Sequence, residues 1–148
     1  MSELLSEQTI RLSETATGQE AAIRRCGDVL IASGAVEPDY TDAMLERERS
    51  ISTYVGEGVA IPHGTLAAKQ LVKRDALAVL RFPSGIDWNG EPVHVCVAIA
   101  AVGTSHVALL SQLAELLLDP EAAQALREAT DVDEILRLLG PVRKDNTP

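Results

Sequence analysis

A chain of 148 residues with 46% hydrophobic content is long enough to bury one core, so a single compact domain is expected. Its formal net charge of −9 repels nucleic-acid phosphates and anionic lipid, and the nearest basic cluster, Lys69 with Lys73 and Arg74, is small enough to be a solvated helix face. No run reaches the roughly 18 uninterrupted apolar residues of a membrane span, and Met1-Ser2-Glu3-Leu4-Leu5-Ser6-Glu7 lacks the basic region and apolar run of a signal peptide, so a cytoplasmic protein is expected.

From Gly18 to Ser33, Ala21, Ala22, Cys26, Val29, Leu30 and Ala32 recur at helical spacing. Thr17 with Glu20 forms a capping-box pattern, and Gly34 ends the helix. A second helix begins near Pro38 and Asp39 and carries Ala43, Met44 and Leu45 before the charged run Glu46-Arg47-Glu48-Arg49. Thr53-Tyr54-Val55 and Val59-Ala60-Ile61 read as extended pieces around the turn Gly56-Glu57-Gly58.

Ala76 to Phe82 and Val93 to Ala101 are apolar, β-branched runs of strand length, with turns predicted at Pro83-Ser84-Gly85 and Asn89-Gly90. Ser105 is a plausible N-cap for a helix through Leu118; Asp119-Pro120-Glu121 opens another and Asp131 to Leu139 forms a last one. The pattern predicts an α/β (α+β) fold in which a small mixed sheet lies between helices, in three layers. Residues 1–141 are assigned to the domain and 142–148 to a polar tail.

Cys26 and Cys96 sit in no metal or redox spacing and read as buried core thiols. Histidine, partly neutral near pH 7 and a good nucleophile, is the chemical candidate. His94, inside Val93-His94-Val95-Cys96-Val97, favours a structural role; His106 follows Ser105 at the start of a helix. His63 is the most constrained: Pro62 fixes its own φ, the residue before it is pushed extended, and Gly64 permits a sharp turn. Spacing alone leaves it equally open to being an ordinary surface histidine. Arg47, by spacing alone, reads as a solvated partner of its helix neighbours around Glu46 and Glu48.

The string Met44-Leu45-Glu46-Arg47-Glu48, followed by Thr53-Tyr54-Val55-Gly56-Glu57-Gly58-Val59-Ala60-Ile61-Pro62-His63-Gly64-Thr65, resembles the signature of the enzyme IIA domain of the bacterial phosphotransferase system, mannitol/fructose class. Val36-Glu37-Pro38-Asp39-Tyr40, Ser105-His106-Val107 and Asp131-Val132-Asp133-Glu134-Ile135-Leu136 resemble its mannitol branch, and the resemblance runs from about Leu4 to Gly140. It implies a phosphocarrier in which His63 takes a phosphoryl group from the phosphohistidine of the small carrier HPr and passes it to a cysteine of a IIB partner for sugar uptake. By the same resemblance Arg47 is the arginine of the Leu-x-Arg-Glu motif, His106 the second active-site histidine, and Glu57 an acidic residue present in some members. No cofactor and no metal is implied.

Those residues suit the chemistry, because phosphoryl transfer proceeds through a loose transition state that a protein promotes by alignment and charge stabilisation. Arg47 offers a planar fork of donors, and His63 a neutral ring nitrogen whose orientation is fixed by a hydrogen bond at the other nitrogen. His106 could hold a phosphoryl oxygen. Two other readings compete: a regulatory, nitrogen-related enzyme IIA whose phosphorylation controls partner proteins, and a metal hydrolase using His63, His94 and His106 with a carboxylate, for which no ligand spacing appears.

Overall fold

The structure, a computed structural model, describes residues 4–102 and 105–142. Its chain order is β1 (Ile10–Arg11), α1 (Gln19–Ala32), α2 (Tyr40–Ser50), β2 (Tyr54–Gly56), β3 (Val59–Ala60), β4 (Ala76–Trp88), β5 (Glu91–Ala100), α3 (Ser105–Leu117), α4 (Pro120–Glu128) and α5 (Val132–Leu139). The five strands form one sheet in the order β1-β4-β5-β3-β2, with β1 parallel to β4 and β3 parallel to β5 while the hairpin pairs run antiparallel. This is the predicted mixed sheet.

Period-two alternation along β4 and β5 sends side chains to two different cores. Ala78, Leu80, Cys96 and Ala98 pack against Ile23, Cys26, Leu30 and Met44 of α1 and α2. Leu77, Val79, Val95, Val97 and Ile99 pack against Leu109, Leu113, Leu126 and Ile135 of α3, α4 and α5. The sheet is therefore covered on both faces, which is the three-layer arrangement.

Several local expectations are corrected. The box of Thr17 with Glu20 does not form: Gly18 takes the N-cap position of α1 without a side-chain bond, and Glu20 pairs with Arg24 at 3.0 Å instead. Pro83-Ser84-Gly85 does not end a strand. β4 runs through it to Trp88, and Phe82 to Gly85 stand opposite His94 alone, a bulge that the ladder on either side can tolerate. Only Asn89-Gly90 turns the chain, both at positive φ, as a two-residue hairpin requires. Ser105 is already the first residue of α3, so its cap lies outside the described residues. Asp119 and Asp131 do cap α4 and α5, accepting from Glu121 N at 3.0 Å and Asp133 N at 2.9 Å. Val142, assigned to the tail, is buried against the second core; 143–148 lie outside the described residues.

The cysteines are both fully buried. A hydrogen bond with Cys26, together with burial, raises the Cys96 thiol well above its usual range, so it is neither accessible nor a thiolate.

Candidate functional site

After β3 the chain continues as Ile61-Pro62-His63 alongside the C-terminal half of β5. Ile99 N donates to Pro62 O at 2.9 Å, and His63 bridges in parallel to Ile99. Pro62 has no N–H to lose, and its carbonyl still serves the ladder. The imidazole is thereby projected at the end of the strand, where the first turn of α3 and the C-terminal half of α2 converge.

His63 Nδ1 lies 2.9 Å from Ile61 O. A carbonyl can only accept, so Nδ1 carries the proton and Nε2 holds the free lone pair. Burial lowers the His63 pKa, the charges of Arg47 and His106 lower it further, and the Ile61 carbonyl and the Glu48 carboxylate oppose them. The net direction is downward, which keeps the ring neutral. Arg47 and His106 line a cavity of about 490 Å³ with His63, together with Glu46, Ser50, Gly64, Thr65 and Leu110. Arg47 makes no ion pair among the described residues; its Nη1 donates to Ile51 O at 2.5 Å, and the neighbouring Glu48 carboxylate is turned inward.

Of the four site residues suggested by the sequence, the structure brings His63, Arg47 and His106 together and leaves Glu57 elsewhere. Glu57 occupies the β2–β3 turn at φ +56°. Its main-chain oxygen accepts from Arg127 Nη1 at 2.6 Å and its carboxylate lies 3.8 Å from the same guanidinium. It does not line the cavity. His94 is half-buried between Gly85 and Gly58: a Cβ at either would approach its ring, to 3.0 Å and 3.7 Å.

Tyr40 is the structural component that spacing did not single out. It is buried at the start of α2, and its hydroxyl donates to Ile99 O at 2.8 Å while accepting from Gly64 N at 2.9 Å. Burial raises its pKa, so it stays a donor at neutral pH. It clamps the turn after His63 onto β5. The glycine is needed for space rather than for a left-handed turn: a Cβ at Gly64 would lie 2.6 Å from Tyr40 Cε1. One signal was available, since a tyrosine beside an otherwise apolar core seeks a partner for its polar end.

Comparison with known proteins identifies the family. Residues 3–140 match the family model described as "Phosphoenolpyruvate-dependent sugar phosphotransferase system, EIIA 2". The chain is 40% identical over 141 residues to the mannitol-specific phosphotransferase enzyme IIA component of Halalkalibacterium halodurans, covering 95% of this chain and 97% of that protein. It also resembles the crystal structure of IIA mannitol from Escherichia coli, with a TM-score of 0.83 and 37% identity over 91% of this chain and 98% of that one. A further match is the IIA component in the Escherichia coli complex of enzyme IIA-mannitol with phosphorylated enzyme IIB-mannitol, with a TM-score of 0.85 and 34% identity over 92% and 96%. The chain belongs to the EIIA 2 family of the phosphoenolpyruvate-dependent sugar phosphotransferase system.

Proposed function

We propose that this phosphotransferase component carries the phosphoryl group as a phosphohistidine on Nε2 of His63. The observation that supports the reading most is the pairing of His63 Nδ1 with Ile61 O, which leaves Nε2 as the lone pair in a cavity shared with Arg47 and His106. A P–N bond to the donor breaks as the bond to Nε2 forms, and the reverse exchange later moves the group to a cysteine sulfur of a IIB partner. Phospho-HPr is the proposed donor. Arg47 is the proposed clamp on the phosphoryl oxygens, and His106 the proposed second donor. Glu57 stands outside this set because its carboxylate faces Arg127.

A relay protein needs a face on which two partners dock in turn. Val107, next to His106, is 57% exposed, and Ile51, whose carbonyl holds Arg47, is 68% exposed, so apolar side chains flank the cavity. Mannitol or a related sugar is the proposed cargo of the pathway, and the cytoplasm the proposed compartment. Among the described residues no helix is long and apolar enough to cross a membrane.

The test is labelling by phosphoenolpyruvate, enzyme I and HPr. Wild type is expected to gain one acid-labile, base-stable phosphoryl group, and His63→Ala to gain none while remaining folded by circular dichroism. Labelling of folded His63→Ala at the normal rate would overturn the assignment.

A further inference from the structure

Glu48 is the one charged side chain buried among the described residues, at 9% exposure. It follows Arg47 on α2 but points the opposite way, into the protein. Its carboxylate accepts four hydrogen bonds: from Thr53 Oγ1 at 2.5 Å on Oε1, and on Oε2 from Thr53 N at 2.9 Å, Trp88 Nε1 at 2.9 Å and Gln19 Nε2 at 3.1 Å. A buried carboxylate without a cationic partner persists only when donors replace its water, and here all the donors are neutral.

The segment this carboxylate holds is the one on which the site depends. Thr53, bound through both its N–H and its hydroxyl, accepts from Ile61 N through its own carbonyl at 3.0 Å. The Ile61 carbonyl then fixes His63 Nδ1. Two residues before Thr53, Ile51 O receives Arg47 Nη1. One side chain thus anchors the stretch 51–53, which sets the ring through Ile61 and the guanidinium through Ile51. Trp88 and Gln19 tie that anchor to the β4–β5 hairpin and to α1.

We infer that Glu48 is a positioning residue for phosphoryl transfer, holding His63 and Arg47 in register through the 51–53 segment. The inference rests on His63 being the phosphoryl acceptor. It adds a role for a carboxylate that touches neither the phosphoryl group nor the ring. Its negative charge also acts on His63 from behind, favouring the protonated ring, in opposition to Arg47.

Loosening the site would rehydrate His63 and move its titration midpoint up toward 6.5, because burial is the largest influence holding it down. Glu48→Gln removes the charge that favours the imidazolium and weakens the hold on 51–53, and these act on the midpoint in opposite directions, so the tautomer and the labelling rate carry the test. The experiment is ¹⁵N-imidazole NMR titration of His63, with phosphorylation by phospho-HPr, on wild type and Glu48→Gln. The expected result is a mixed rather than single tautomer, a displaced indole N–H resonance of Trp88, the sole tryptophan, and labelling slowed by about tenfold to a hundredfold, as small misplacements of reacting groups cause. A wild-type rate and tautomer would overturn the inference. Should Glu48→Gln not fold, Thr53→Val carries the test, since it deletes only the hydroxyl donor. Slowed labelling with a mixed tautomer supports the role, and wild-type values for both refute it. Failure of wild type itself to be labelled would instead refute the reading of His63.

Discussion

Removing only the hydroxyl of Tyr40 tests whether the turn bearing His63 is held by this clamp. Tyr40→Phe keeps the ring that packs over Gly64 but deletes the donor to Ile99 O and the acceptor for Gly64 N. Each lost hydrogen bond costs about 1 kcal/mol, and a partner left without water costs more, so the sum is roughly 2–3 kcal/mol. In a domain of this length that corresponds to a fall in melting temperature of roughly 5–10 °C. The kinetic effect follows from geometry: with Gly64 N released, the turn can drift from β5, and a displacement of about 1 Å at a reacting group costs on the order of a hundredfold in rate. Thermal unfolding by circular dichroism and rapid-mixing phosphorylation by phospho-HPr would read both. Wild-type melting temperature together with wild-type labelling would refute the reasoning, because nothing else in the substitution changes.

The companion variant Gly64→Ala keeps the hydroxyl and drives a methyl to within 2.6 Å of Tyr40 Cε1; overpacking of this kind costs about 1–3 kcal/mol, and a Tyr40→Phe, Gly64→Ala double mutant should lose less than the sum of the two. Additive losses in thermal unfolding would mean that the two residues do not share one contact. Arg47→Ala should still be labelled, about a hundredfold to a thousandfold more slowly, and should raise the His63 midpoint by removing a charge that lowers it. The lowered pKa also predicts that stability declines as pH falls below 6.5, where unfolded chains take up a proton that folded His63 resists; His63→Ala should lessen that decline in urea titrations, and an unchanged pH dependence would refute the shift.

The sequence was most informative where periodicity is long and redundant. The helices at 19–32, 105–117 and 132–139 carry their apolar stripes unbroken, and the Asp caps before Pro120 and Val132 were readable because an aspartate's oxygen and a free amide are all such a cap needs. The strand through Pro83 was not legible, since its pairing partner is in β5 and a bulge is decided by that partner rather than by local propensity. β1 escaped notice because two residues cannot show a period. At the site, the proximity of Arg47, His63 and His106 came from the resemblance, not from spacing, which had favoured a solvated Arg47. Glu48 is the instructive miss. It lies four residues after Met44 and three after Leu45, on the apolar face of α2, so helical spacing alone marked it as a buried acid. The charged run around it concealed this.

The choice of partner for His63 Nδ1 follows from what a phosphoryl relay must do. A carboxylate in that place would fix the tautomer, as it does in hydrolytic triads, but its charge would stabilise the imidazolium and raise the ring's pKa. The protonated ring has no lone pair to attack with. A main-chain carbonyl fixes the same tautomer without adding a net charge, and burial beside the Arg47 guanidinium then carries the balance toward the neutral ring. The same guanidinium would compensate the oxygens once the proposed phosphoryl group arrives, so one charge serves acceptance and retention alike. The Glu48 carboxylate is kept at the far side of a backbone segment, where it can hold Thr53 and Ile61 in place while touching neither the ring nor the cavity. An acid on the Ile61 side of the ring would therefore leave less of the neutral acceptor near pH 7, whereas removing the acid behind it should keep the acceptor and lose its alignment.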